Sequence, residues 1–435
     1  MATTKFTRRQ FLKHSLAVPV LLRYPQSQAA DPLVQFIWSG GVTSTAALIK
    51  AKITRDSQAV RLLVSSNADL SQPLASDPQT ASLASNNRVI AFSLADLAPN
   101  TVYHYAIEVD GVLDTARSGQ FKTFPDGAAS FMIAFGSCAE TGSAHPIFET
   151  IRNLNPLFFI HTGDFHYLDI PTNDRALFRD AFETVLASPT QSSLYRSTPL
   201  VYMWDDHDYG PNDSTALSAS RPAARLTYQE YVPHYPLAEG NGNVPIYHAF
   251  SVGRARFIVT DLRSERSPKL DPDDANKSML GPRQKAWFKQ ELLQAKSDHA
   301  LIIWISSVDW IPQLSDGWYL YSTERRELAD FIQANAINNL AMIAGDLHMV
   351  GIDNGSHADF TTVGGGGFPI FQASPLDRFG FDADALYSEG RVAQRGQFGI
   401  MNVIDDGGST VWVEWSARSW TNEELLAYRF SVQTP

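Results

Sequence analysis

The sequence predicts an α/β fold of mixed sheets covered by helices, preceded by a small all-β sandwich. Three observations predict it. Residues 34–123 carry short alternating apolar runs bounded by turn residues, with no helical period. From Ser130 onward, apolar strand-like runs alternate with amphipathic stretches, the pattern of strand–helix–strand units. Gly253-Arg254 between two strand-like runs marks a hairpin, so the sheets hold antiparallel as well as parallel pairs.

The chain of 435 residues exceeds one typical domain, and its 44% hydrophobic content suffices for more than one core. The expected division is a leader at 1–30, a sandwich at 31–125 and an α/β domain at 126–435. The leader holds Lys5, Arg8, Arg9, Lys13 and Arg23, no acidic residue, an apolar patch interrupted by Arg23, and the small-residue end Ser27-Gln28-Ala29-Ala30. That order reads as a signal peptide. Within it, Thr7-Arg8-Arg9-Gln10-Phe11-Leu12-Lys13 is a twin-arginine pattern, which predicts export of a folded chain by the twin-arginine translocase to the periplasm or medium. No other stretch reaches the ~20 apolar residues of a membrane helix.

The sandwich strands are expected at Val34–Trp38, Thr45–Ile53, Ala59–Val64, Val89–Leu94, Val102–Val109 and Gly119–Thr123. In the α/β region the strands are expected at Phe131–Phe135, Leu157–Ile160, Leu200–Met203, Tyr247–Val252, Ala255–Thr260, Leu301–Ile305, Leu340–Ala344 and Phe360–Val363. A closing hairpin follows from Phe398–Ile404 and Val411–Ser416. Helices are expected at Pro146–Asn153, Ala176–Ala187, Arg221–Tyr231, Pro282–Ala295 and Glu324–Asn335. The Gly364–Gly367 run reads as a tight connection, with a phosphate cradle as the lesser alternative.

The formal charge is −11, and removing the five leader cations takes it to −16. So acidic a surface repels nucleic-acid phosphate, which excludes a backbone-tracking DNA or RNA binder. A phosphate-bearing substrate must then be captured locally, by metal ions and a few arginines. A single cysteine, Cys138, forms no internal disulfide, so its thiol is either inert in the core or a ligand.

Chemistry concentrates directly after the strand-like runs, where ligands gather in strand–helix sheets. Gly136-Ser137-Cys138, Gly163-Asp164-Phe165-His166-Tyr167, Trp204-Asp205-Asp206-His207-Asp208, Thr260-Asp261-Leu262-Arg263 and Gly345-Asp346-Leu347-His348 all sit there. Any one aspartate would pass for a cap or turn residue, but the repetition suggests a two-metal centre. Asp164 can bridge two ions through its two oxygens, and Asp206 and Asp346 can serve the second ion. His348, two residues after Asp346, can bind the first. Thiolate and phenolate from Cys138 and Tyr167 favour iron over magnesium. His207 is placed to donate a proton to the phosphoryl or leaving-group oxygen. Asn212 offers a carbonyl oxygen suited to a hard ion, although Pro211-Asn212-Asp213 is also ordinary turn chemistry. Arg263 and Arg266 have two open readings, a bidentate phosphate clamp or a buried ion pair with Asp261.

Taken together these motifs resemble the alkaline phosphatase D-like (PhoD-like) family of the calcineurin-like metallophosphatase superfamily, over roughly residues 31–435. Leu97-Ala98-Pro99-Asn100-Thr101-Val102-Tyr103 resembles the corner of a fibronectin type III module, and Gly119–Pro125 its last strand. The resemblance implies a four-layer αββα sandwich behind a fibronectin III-like domain. It also implies a ferric ion held by Cys138, Asp164, Tyr167 and His348, with calcium beside it near Asp164, Asp206, Asn212 and Asp346. Mn²⁺ or Zn²⁺ are alternatives for the second ion. The superfamily's Asp-x-His motif is absent, its place taken by Gly-Ser-Cys. The usual histidine between the second-metal motifs is also missing, with Ser306-Ser307-Val308-Asp309 near its expected position. The expected activity is hydrolysis of a phosphate ester by a metal-bound hydroxide in line with the leaving group, releasing inorganic phosphate. Catalytic roles fall to His207 and Arg263, and a monomer is expected. Two rivals stand beside it: a phosphodiesterase or phospholipase D-like hydrolase, and an exported wall- or carbohydrate-binding protein with an inactive catalytic domain.

Overall fold

The computed structural model describes residues 5–6, 32–311 and 316–434. The leader lies outside the described residues, apart from the pair Lys5–Phe6 beside Val89–Leu94. Two antiparallel sheets follow. In one, Val34–Gly40, Ala47–Ile53 and Val89–Leu94 are neighbours; in the other, Ser57–Ser65, Val102–Val109 and Val112–Lys122. The last of these is longer than its sequence suggests, because in Val112–Ser118 the buried position is the polar Asp114, which accepts from the Val34 amide, while Val112 is exposed.

Beyond residue 130 the chain builds two larger mixed sheets. One runs Leu200–Met203, Phe159–Thr162, Phe131–Gly136, Gln397–Ile404, Thr410–Ser419, Glu424–Gln433, with the first three parallel. The other places Ala255–Val259, Leu301–Ser306, Leu340–Ala344 and Ile370–Ala373 parallel, edged by His248–Val252 on one side and by Val350–Asp353 and then Arg391–Val392 on the other. Alternate residues of these strands enter different cores, as period-2 geometry requires. Ile303, Ile305, Ala341 and Ile343 face the core between the sheets. Ile302, Trp304, Leu340 and Met342 face a second core under the helices Pro282–Asp298 and Ser322–Ala334. Burial on both faces is why these strands read as continuous apolar runs. Phe135 meets Phe371 edge to face across the inter-sheet core, with centroids 4.8 Å apart. The helices Ile147–Asn153, Arg175–Ala187, Pro189–Ser197 and Arg221–Tyr231 lie on the other side of the first sheet, completing four layers.

The structure corrects two expected elements. Phe360–Val363 is not a strand: Asp359 and Asp330 bind the amides and hydroxyls of Thr361 and Thr362, and the strand starts at Ile370. The glycine run is a connection, as expected, its amide at Gly365 held by Asp359 and its carbonyl at Gly364 by Gln333. The final hairpin is a three-stranded meander, since Glu424–Gln433 adds to it. One helix was hidden: Pro189–Ser197 is rich in Ser and Thr, poor helix formers, but has proline at its first turn and buries Gln191, Leu194 and Tyr195.

The sandwich shares its core with the α/β region. Trp38, Phe165 and Tyr195 pack together, and Trp38 Nε1 donates to the Tyr231 carbonyl at 3.0 Å. Lys50 is buried at this junction and donates to the carbonyls of Gln229 and Glu230. Burial lowers its pKa to about 7, with Glu230 opposing. The unfolded chain therefore holds the extra proton between that value and the ordinary lysine range, so stability should rise with pH from about 7 to about 10. Thermal unfolding across that interval, compared with Lys50→Met, checks this: the variant should lose this part of the slope.

Candidate metal centre

Seven loops converge on one edge, and each follows a parallel strand. Cys138 follows Phe131–Gly136, Asp164 and Tyr167 follow Phe159–Thr162, and Asp205, Asp206 and His207 follow Leu200–Met203. From the other sheet come Arg263, Ser307, Asp346 with His348, and Ser374 with Arg378. Three of these residues, Cys138, Asp164 and Asp346, hold left-handed backbone at φ +61°, +56° and +67°. Non-glycine residues rarely sit there, and the strain clusters where a side chain must be aimed. Gly163 and Gly345 let the loops close: a Cβ on Gly163 would lie 2.5 Å from the Asp205 Cβ, and one on Gly345 2.6 Å from Thr162 Oγ1.

Cys138 Sγ lies 3.5 Å from Asp164 Oδ2, and the Tyr167 hydroxyl donates to the same oxygen at 2.7 Å. The hydroxyl is also 3.3 Å from His348 Nε2. His348 Nδ1 donates to the Phe379 carbonyl at 2.9 Å, which turns Nε2 toward the centre. Ligand atoms of Cys138, Asp164 and His348 all lie within 4.8 Å of one another. So do carboxylate oxygens of Asp164, Asp205, Asp206 and Asp346, and those of Asp206, Asp213 and Asp316.

The four-carboxylate group costs energy as it stands. Burial, then the charges of Asp206 and Asp205, push the Asp164 carboxyl well above its usual range. Burial and then Asp205 and Asp206 do the same to Asp346. Burial and the nearby Asp164 and Asp346 push the Cys138 thiol up as well. Asp164 Oδ1 is buried with no partner among the described residues. Cations between these groups would satisfy that oxygen and reverse each shift. The donor set, with carboxylates, a thiol, a phenol and an imidazole, fits resident metal ions.

Arg263 is a correction. It is fully buried, with Nε and Nη2 donating to Asp205 at 2.6 and 2.8 Å and Nη1 2.6 Å from Asp316. A guanidinium committed on both sides is no substrate clamp, and its partner is Asp205 rather than Asp261. Asp261 instead accepts from Trp204 Nε1, the Ile246 amide and Ser264, and takes no part in the cluster. Arg266 is likewise buried, against Tyr321 and Asp316. Asn212 is exposed, and the carboxylate grouped with Asp206 is that of its neighbour Asp213. Ser307 Oγ donates to Asp205 Oδ1 at 2.7 Å.

Sequence reading missed Asp169, Asp208, Asp213 and Asp316. Asp169 Oδ1 is 2.6 Å from His207 Nδ1, and the His207 ring lies 4.3 Å from that of Tyr167. Asp208 joins two loops by accepting from the Tyr202 hydroxyl and the Phe165 and Asp205 amides. Only Asp208 carried a signal, as the last residue of the Asp-Asp-His-Asp motif.

A profile of PhoD-like phosphatases matches residues 133–404, more than half of the chain and all of the loops just described. The chain belongs to the PhoD-like phosphatase family. Alkaline phosphatase D of Bacillus subtilis is 24% identical over 386 residues, 76% of this chain. The alignment spans 62% of that relative's length. A solved structure of PhoD matches with a TM-score of 0.75 over 94% of both chains, at 17% identity, and so shares the fold. The PhoD-like profile leaves the sandwich outside its matched residues. Among the described residues no helix is long and apolar enough to cross a membrane.

Proposed function

We propose that this PhoD-like chain is a metal-dependent phosphoesterase acting on phosphate monoesters. The observation that carries this is the packing of Asp164, Asp205, Asp206 and Asp346 within 4.8 Å, beside a buried thiol, with Arg263 as the cation set against them. On this reading Cys138, Asp164, Tyr167 and His348 hold a ferric ion. Asp164, Asp206, Asp346 and the turn at Asn212-Asp213 hold calcium, with Mn²⁺ or Zn²⁺ as alternatives. Thiolate and phenolate donors support iron, and the oxygen-rich remainder supports a hard second ion.

Bound ions supply charge neutralisation at the phosphoryl oxygens and acidify water. The chain's own residues do the rest. With Asp169 accepting from Nδ1–H, His207 would act as the imidazolium, giving its Nε2 proton to the departing ester oxygen and ending as the neutral imidazole. Arg263 acts through Asp205, opposing the burial that pushes that carboxyl's pKa up and holding it in place. The loops exclude bulk water from one side of the site, since Asp164, Asp205 and Cys138 are essentially without exposure.

Removal of bound ions with a chelator should abolish p-nitrophenyl phosphate hydrolysis, and iron with calcium should restore it. Turnover that persists in metal-free protein would refute the proposal. A diesterase reading draws support from Phe379 and Phe381, 77% and 55% exposed beside His348, which could receive an apolar ester group. Preference for the bis-p-nitrophenyl ester would favour it. The twin-arginine leader supports export of the folded chain, with Arg8 and Arg9 the residues to replace in a localisation assay.

A further inference from the structure

The segment after Ile370–Ala373 touches the centre at three points. Ser374 Oγ donates to Cys138 Sγ at 3.2 Å, and the Phe379 carbonyl accepts from His348 Nδ1. Between them, the Arg378 guanidinium carbon lies 4.0 Å from the centroid of the Tyr167 ring, the ring that also receives His207. Asp377 fixes the base of this arm by accepting from the Glu140 amide at 2.6 Å and from the Ser143 hydroxyl. Arg378 Nη1 is paired with Glu140, while its Nε is buried without a partner among the described residues. The side chain is 30% exposed, in contact with both solvent and the Tyr167 ring. Arg263 and Arg266 are held in buried ion pairs and Lys269 by Asp213, while Arg395 lies farther out, 5.9 Å from the ring centroid of Phe379.

We propose that Arg378 is a specificity-determining residue that donates to a nonbridging phosphoryl oxygen and so favours monoesters over diesters. This rests on the phosphoesterase reading above. At alkaline pH the phosphoryl group of a monoester carries two negative charges, and that of a diester one. Arg378 supplies a partner for the second charge, and a diester places an uncharged ester oxygen and its substituent there instead. Glu140 holds the guanidinium between turnovers and competes with substrate for it. A charge-assisted hydrogen bond of this kind changes an equilibrium by about ten- to a hundredfold.

The test uses the metal-loaded full chain and Arg378→Ala, Arg378→Lys and Glu140→Gln. Three readouts are needed: kcat/KM on p-nitrophenyl phosphate and its bis-ester, calorimetric affinity for inorganic phosphate, and metal content with visible absorbance. Arg378→Ala should lower both the monoester-to-diester ratio and phosphate affinity about ten- to a hundredfold, with metal content and absorbance kept. Arg378→Lys should fall between, and Glu140→Gln should tighten phosphate binding. An unchanged ratio and phosphate affinity would overturn the proposal. So would losses that track metal content or absorbance, which would make Arg378 a support for Tyr167 only. If the wild-type chain turns over neither ester, the phosphoesterase reading fails instead, and phosphate affinity that still falls in Arg378→Ala supports the anion contact.

Discussion

Replacing Asp164 by asparagine should remove at least about a thousandfold of kcat/KM on a phosphate monoester while leaving the metal-free protein more stable than wild type. The two halves of this expectation come from one geometry. Asp164 is shared by three of the four candidate groups, those with Cys138 and His348, with Asp206 and His207, and with Asp205, Asp206 and Asp346. Loss of its charge weakens every ion bound there. Without ions the same charge is a burden, because burial and neighbouring carboxylates oppose its ionisation. Asparagine tolerates the left-handed backbone at φ +56°, so the loop keeps its shape. Kinetics of the metal-loaded variant and melting in chelator check both halves. Retained activity, or a lower melting point without metal, would contradict the account.

Arg263→Ala should cost about 3–5 kcal/mol of folding stability, measured by chemical denaturation, because it strands the buried Asp205 carboxylate. That is a large part of the stability of an ordinary domain. Arg263→Lys should rescue little, since one ammonium cannot reproduce paired bonds to Asp205 and a third contact to Asp316. A clamp role predicts the opposite pattern, a raised KM with unchanged denaturation.

What the sequence made legible was local. Strands buried on both faces announce themselves as apolar runs, and a polar residue directly after such a run lands at the sheet edge. Cys138, Asp164, Asp206, Asp346 and His348 were visible on that ground, and the structure brings them together. Amphipathic helices such as Arg175–Ala187 and Arg221–Tyr231 were visible through their period. Contacts made between distant segments left no such trace. Asp316 meets Arg263 and Arg266 from beyond the neighbouring strand Leu301–Ser306, and Arg378 reaches Tyr167 from more than two hundred residues away. Arg263 itself was placed at the correct edge, but the choice between clamp and ion pair depended on Asp205 lying opposite it. The strand wrongly expected at Phe360–Val363 has the β-branched composition of one, yet local bonds from Asp330 and Asp359 claim its backbone.

The central claim is that these convergent loops hold metal through Cys138 together with carboxylates. Metal content and visible absorbance of the purified chain, beside its Cys138→Ser variant, test it most directly. The account predicts iron bound to the wild-type chain with a visible charge-transfer band, and loss of iron or a displaced band in the variant. Iron retained in full with an unaltered band would contradict it.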